Sequence, residues 1–321
     1  MNGCSRYAAV LATAAWVGAA SFPVQAQDKK VPTVGFVAGA GGYPKMAITN
    51  QTFFDALAEK GYKDGSTMRV VFRSAEGDMG KMPDLVRQVL SKNVDVLVVS
   101  SSPGCAAAAA ATADTPVLCI SVQDDPVREG LTDSLERGRG NVVGVHSHLA
   151  DGIKQQLDGL LAMKPGATRI GVLFNPENKT HLRLLELWKS SAAAKHVQVV
   201  EMRVTKAADL DAALKTALAE KTDLAIGLLG ADTYAIRKEI AENAAKQRLP
   251  IVMDTPGSYT DMGGVATLGV DIVPLYREGA IKQMVPMLEG KRPSDLAWIG
   301  PGRISAKFNG EVVRSFGLTA D

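Results

Sequence analysis

The chain has 321 residues, with 36 basic against 34 acidic side chains and a formal net charge of +2. That near balance argues against nucleic acid as a partner, because phosphate binding rests on concentrated positive charge. Beyond the N-terminal stretch, no segment keeps up the roughly 20 apolar residues of a membrane-crossing helix, so the chain reads as not membrane-spanning.

Arg6 is the only charge before Asp28, residues 7–20 are apolar and alanine-rich, and Val24, Gln25 and Ala26 offer small residues where a signal peptidase reads. Residues 1–26 are expected to be an export signal cleaved near Ala26, leaving the rest in an exported compartment such as a bacterial periplasm. Cys4 precedes the apolar stretch, whereas a lipid-modified cysteine would follow it. What remains is too long for one small core and suits two lobes of ~100–150 residues.

A strand is expected at 34–37, followed by a glycine-rich loop at 38–44. There the amides around Gly42 could approach a ligand closely and Tyr43 could stack on a planar one. Phe53 and Leu57 mark a helix face that Gly61 ends, and a strand at 68–72 leads to Asp78, which can cap a helix carrying Met82, Leu85, Val86 and Val89.

Two stretches then repeat one grammar. An acidic residue opens a short apolar run ending in small polar residues, a helix follows, and a proline introduces a second apolar run ending in aspartate. The first copy runs from Asp95 to Ser100, Ser101 and Ser102, through the alanine run at 106–111, and from Pro116 to Asp124 and Asp125. The second runs from Asp223 to Asp232, and from Pro250 to Asp254. Short apolar runs alternating with helices build parallel sheets, which bind ligands beyond the carboxyl ends of their strands.

Between the copies, a strand at 140–144 leaves the first lobe, and a helix at 151–163 opens the second. A strand at 169–175 ending in Asn175, a helix, a strand at 197–204 and a helix bearing Leu210 and Leu214 follow. After the second copy, 265–269 reads as the final strand and Asp271 as the cap of a helix with Ile281, Met284, Val285 and Leu288. Pro286 should bend its end, and the tail from Lys291 should pack across both lobes. The expected division is 31–147 with 270–290 for lobe 1, and 148–269 with 291–321 for lobe 2.

Each polar strand end carries two readings. Ser101 and Ser102 contact a ligand or cap the alanine helix; Asp125 and Asn175, each before a proline, contact a ligand or shape a turn; Asp232 and Asp271 contact a ligand or cap helices. Asp254 and Asp271, just beyond strands, suit a ligand ammonium. Tyr259 is a second stacking candidate beside an ordinary loop role. His146 and His148 flank Ser147 without a carboxylate spaced for a metal, and no nucleophile elbow occurs, so neither catalytic nor metal residues are expected. His181 and His196 read as surface residues. Cys105 and Cys119 could pair in an oxidising compartment, but one should open a helix and the other sit within the next strand, which favours two buried thiols.

Several blocks resemble a known family. They are Gly61 and Tyr62; Ala75 to Asp78; Asp125 to Leu135 followed by Gly140 to Gly144; Asn175 to Asn178; Gly269 to Asp271 with Leu275, Tyr276 and Arg277; and Phe316 to Thr319. Together they resemble the periplasmic substrate-binding proteins of ABC transporters, in the branch whose characterised members bind aromatic amino acids such as tryptophan. The resemblance implies an α/β fold of two Rossmann-like lobes with parallel sheets, the type I periplasmic binding protein fold, joined by three crossing segments. It also implies a monomer without cofactor that encloses a small ligand and passes it to a permease and an ATPase.

An amino acid with an aromatic or branched side chain is the expected ligand, and a ligand-sensing receptor subunit or a periplasmic hydrolase are the alternatives. Ser102, before Pro103, stands where the family carries a threonine, and so implies a carboxylate held at a helix N-terminus, with Asp271 opposite for the ammonium. The loop at 39–43 departs from the family's wording.

Overall fold

The repeated grammar becomes two sheets. The computed structural model describes residues 30–43, 47–254, 258–301 and 303–319; the expected export signal lies outside them. The first lobe runs Thr33–Ala38 (β1), Ile48–Glu59 (α1), Arg69–Ser74 (β2), Met82–Leu90 (α2), Val96–Ser100 (β3), Ser102–Ala111 (α3), Val117–Val122 (β4) and Val142–His146 (β5). Its strands lie in the order β2-β1-β3-β4-β5, all parallel. Helices cover both faces, so a central strand such as β3 is buried along its whole length, which its unbroken apolar run permits. Asp78 accepts a hydrogen bond from Gly80 N and so caps the short 3-10 turn Met79–Lys81 that precedes α2, not α2 itself, whose first residue lies four positions further on.

The second lobe runs Leu149–Met163 (α4), Arg169–Phe174 (β6), Lys179–Ala193 (α5), Gln198–Arg203 (β7), Leu210–Ala219 (α6), Leu224–Gly227 (β8), Ala231–Ala235 (α7), Arg237–Gln247 (α8), Ile251–Met253 (β9) and Ala266–Val270 (β10). The chain then returns to the first lobe as Val273–Gly279 (α9), a π turn over Ala280–Met284, and Val285–Leu288 (α10). The wider π turn accommodates Pro286, whose ring would otherwise meet a carbonyl one turn back. Gln283 ties this helix to the first sheet by donating to Gly144 O at 2.9 Å.

Residues 293–299 run along β5, where Ile299 N donates to Gly144 O at 3.0 Å. The chain crosses once more into Ile304–Phe308 (β11) and Gly310–Ser315 (α11). The segment at 265–269 is therefore not the last strand. β11 pairs antiparallel with β10 at the edge of a sheet ordered β11-β10-β9-β8-β6-β7. Four of its five residues are exposed, so it carries no apolar run to betray it.

Three segments thus pass between the lobes: after β5, after β10 and before β11. The last two hold each other, with Asp271 N donating to Arg303 O at 2.8 Å. Trp188 is fully buried in the second lobe, and Cys105 and Cys119 are buried free thiols in the first.

Candidate functional site

The loops after β1, β3 and β4 of one lobe and after β6, β8 and β9 of the other leave the carboxyl edges of their sheets, and these edges meet. Between them lies a cavity of about 60 Å³. Lobe 1 contributes Thr49 and Asn50 from the first turn of α1, Ser100 and Ser101 from the end of β3, and Ser121 and Gln123 from the end of β4. Lobe 2 contributes Leu229, Gly230, Ala231 and Tyr234, and the crossing after β10 adds Ile272 and Tyr276. None of the described residues around the cavity is charged. Its polar character comes from hydroxyls, amides and the first turns of helices, whose free N–H groups favour a negative group.

Ser100 Oγ accepts from Gly39 N at 2.7 Å and holds the loop after β1 against β3. Ser101 sits at φ 74°, unusual for a residue with a side chain, and its Oγ accepts from Gly104 N at 3.4 Å as the cap of α3. Such backbone strain, of order 1–3 kcal/mol, is characteristic of functional loops. Tyr276 is buried beside Ser121 and Thr49, and that burial raises the pKa of its hydroxyl.

The lobes touch directly around the cavity. Gln123 Nε2 donates to Leu229 O, and Asn178 Nδ2 donates to Gln123 Oε1 at 3.4 Å. Beside Gln123, the fully buried Asp124 takes Arg183 Nε at 2.8 Å on its Oδ2, with Nη2 2.7 Å away. Glu129 Oε1 accepts from Ser102 Oγ at 2.9 Å and from Thr180 Oγ1 at 3.2 Å, with Arg183 Nη2 3.6 Å off. Burial raises the pKa of Glu129 against the pull of these donors.

His181, which the sequence suggested lies at the surface, is fully buried at the start of α5. Its Nδ1 accepts from Asn175 N at 3.1 Å, so Nε2 carries the proton that faces Leu229 O at 3.0 Å. This fixes the carbonyl that Gln123 also meets.

Residues 37–301 match the family described as ABC transporter substrate binding protein. The chain belongs to that family. A "Tyrosine-binding protein" of Clostridioides difficile is 28% identical over 255 residues, covering 79% of this chain and 72% of the relative. A conserved domain protein from Vibrio cholerae superposes with a TM-score of 0.81 at 28% identity, over 91% of this chain and 96% of that one. An "ABC domain in complex with L-Trp" from Streptococcus pneumoniae gives 0.78 at 23% identity, over 90% and 95%, a likeness of fold.

Within this substrate-binding protein, the predicted site residues separate into groups. Ser101 lines the cavity. Asn175 and Asp232 come together, Asn175 Nδ2 donating to Asp232 Oδ2 at 2.6 Å, and both line a neighbouring opening of about 580 Å³ between the lobes. Gly42 and Tyr43 are not among the cavity residues: the Tyr43 ring stacks on Phe72, 5.3 Å between centroids, and its hydroxyl donates to Asp64, which pushes its pKa up to about 12.

Ser102 is turned away from the cavity, since its hydroxyl accepts from Gln123 N at 3.0 Å while donating to Glu129. Asp125 shapes a turn by accepting from Val127 N at 2.8 Å. Asp271 accepts from Val273 N at 3.1 Å at the start of α9. Asp254 lies behind the wall at Leu229, fully buried, and burial holds its pKa well above the usual carboxylate range. Tyr259 is a core residue that donates to Ile251 O at 2.9 Å.

The sequence reading missed Thr49, Asn50, Ser121, Gln123, Tyr234 and Tyr276. Gln123 could have been found, because it directly follows the strand that the first repeat defines.

Proposed function

We propose that this protein is the extracytoplasmic solute-binding component of an ABC importer, closing two lobes over a small amphipathic amino acid with an aromatic or branched side chain. It hands that ligand to a permease and an ATPase, and it is a binding protein, not an enzyme. The observation that carries the reading is the cavity itself, where both lobes bring strand ends and helix first turns to one uncharged space.

The first turns of α1 and α3, with the hydroxyls of Thr49 and Ser101, suit a carboxylate. Tyr234, Ile272 and Tyr276 offer apolar surface for a side chain, and the oxygens of Asn50 and Ser121 can accept from an ammonium. At about 60 Å³ the cavity is well below the ~300–1,000 Å³ usual for small-molecule sites, so entry requires the lobes to part and capture requires them to return. The names of the relatives, one tyrosine-binding and one solved with L-Trp, support the ligand class.

Thermal unfolding against a panel of amino acids, small carboxylates and sugars tests this. A ligand at 100 times its dissociation constant should add about 2.7 kcal/mol of stability. A curve that moves with a sugar and with no amino acid would sink the ligand class.

A further inference from the structure

Four charged side chains cluster beside the cavity without lining it. Asp124 and Glu129 belong to lobe 1, as does Arg128, whose Nη1 lies 3.2 Å from Asp124 Oδ2; Arg183 alone belongs to lobe 2. One guanidinium therefore meets two carboxyl groups of the opposite lobe, and Thr180, one turn earlier on the same helix, adds a hydroxyl to Glu129. Asp124 is fully buried and Glu129 nearly so. Buried carboxyl groups of this kind are tolerable only with a cation at hand, and without Arg183 the buried Asp124 keeps only Arg128, itself half exposed, while Glu129 loses the cation beside it. When the lobes part, Arg183 leaves and water reaches the carboxyl groups, so the interaction belongs to the closed arrangement alone.

We propose that Arg183 is a positioning residue whose ion-pair cluster with Asp124 and Glu129 latches lobe 2 to lobe 1 and sets the balance between open and closed forms. Its contacts are protein to protein, so the latch acts on that balance independently of what the cavity takes. Ser102 is part of it: the same hydroxyl that accepts from Gln123 N donates to Glu129, joining the latch to the strand end that lines the cavity. The inference rests on the reading that the lobes open and close. Since none of the four charged residues lines the cavity, their effect on affinity must run through the fraction of closed protein, to which apparent affinity is proportional.

The test compares wild type with Arg183→Met, Arg183→Lys and Glu129→Gln by small-angle scattering, without ligand and with saturating L-tryptophan or L-tyrosine, and by calorimetric titration with the same amino acids. Arg183→Met should raise the radius of gyration and weaken binding at least tenfold, through faster dissociation, while the ligand-free unfolding midpoint stays close to wild type. Arg183→Lys should recover part of the loss. If Arg183→Met does not fold, Glu129→Gln, which keeps the shape and removes a charge, should show the same direction more weakly. Scattering and affinity that match the wild type in every folded variant overturn the latch. If neither amino acid binds, the ligand class fails, and the ligand-free scattering of the variants still decides the latch.

Discussion

Gly39 and Ala231 meet across the lobe boundary so closely that a carbon added to Gly39 would lie 2.5 Å from the Ala231 Cβ. Gly77 makes the same kind of approach to Ala235, at 2.7 Å. At these two points any side-chain carbon would collide with the Cβ of an alanine from the opposite lobe.

Gly39→Ala should therefore hinder closure without harming lobe 1, since only the far lobe supplies a contact under 3 Å and the hydrogen bond from Gly39 N to Ser100 is kept. Ligand affinity by calorimetry should fall at least tenfold, with an unfolding midpoint near that of wild type. Unchanged affinity would mean that binding does not use the observed approach of the lobes.

Gln123→Ala removes a donor to Leu229 O and opens the cavity wall, while His181 continues to hold that carbonyl. A hydrogen bond of this kind contributes about 0.5–1.5 kcal/mol, so stopped-flow measurement should show dissociation faster by roughly three- to tenfold. An unaltered dissociation rate would remove Gln123 from the site.

Asp271→Asn keeps the oxygen that accepts from Val273 N, and Asp271 is not among the residues around the cavity. Affinity should stay within twofold, whereas Asp271→Ala should cost about 0.5–2 kcal/mol of stability through the lost cap. A tenfold loss of affinity in Asp271→Asn would restore the ammonium role that its place after a strand suggested.

His146 should make stability depend on pH. Burial, with His148 adding to it, lowers its pKa from 6.5 to about 4, so the folded protein resists a proton that the unfolded chain accepts. Stability contributed by the neutral ring is complete above pH 6.5 and declines as pH falls toward 4, by about 2–3 kcal/mol at 1.36 kcal/mol per unit. Urea unfolding of His146→Gln between pH 7.5 and 4.5 should give a shallower decline than wild type. Parallel profiles would show that the ring titrates normally.

Much of the fold was legible because its strands are buried on both faces and its helices are amphipathic, so each leaves a periodic trace in the residues. β11 left none, since an exposed edge strand such as Ile304–Phe308 is held by its neighbour's backbone instead of by burial. The cavity was legible only in part: of the residues put forward from the sequence, Ser101 lines it and Asn175 and Asp232 line the neighbouring opening, while Thr49, Asn50 and Tyr276 had no candidate near them. Asp125 was chosen where Gln123 and Asp124 make the contacts, because a proline beside an aspartate resembles a functional loop whether it binds or turns. Ser102 and His181 were misread for a different reason: their partners, Glu129 and Leu229, are 27 and 48 residues away in sequence, and only the tertiary packing within each lobe brings them together.

The path of the tail bears on how the molecule is made. The first lobe lacks α9 and α10 until the chain has passed through α4 to β10 of the second, and the second sheet lacks its edge at β11 until the chain has crossed back from the first lobe. Neither half can finish before chain from beyond the other has been made, so the two lobes are coupled in folding.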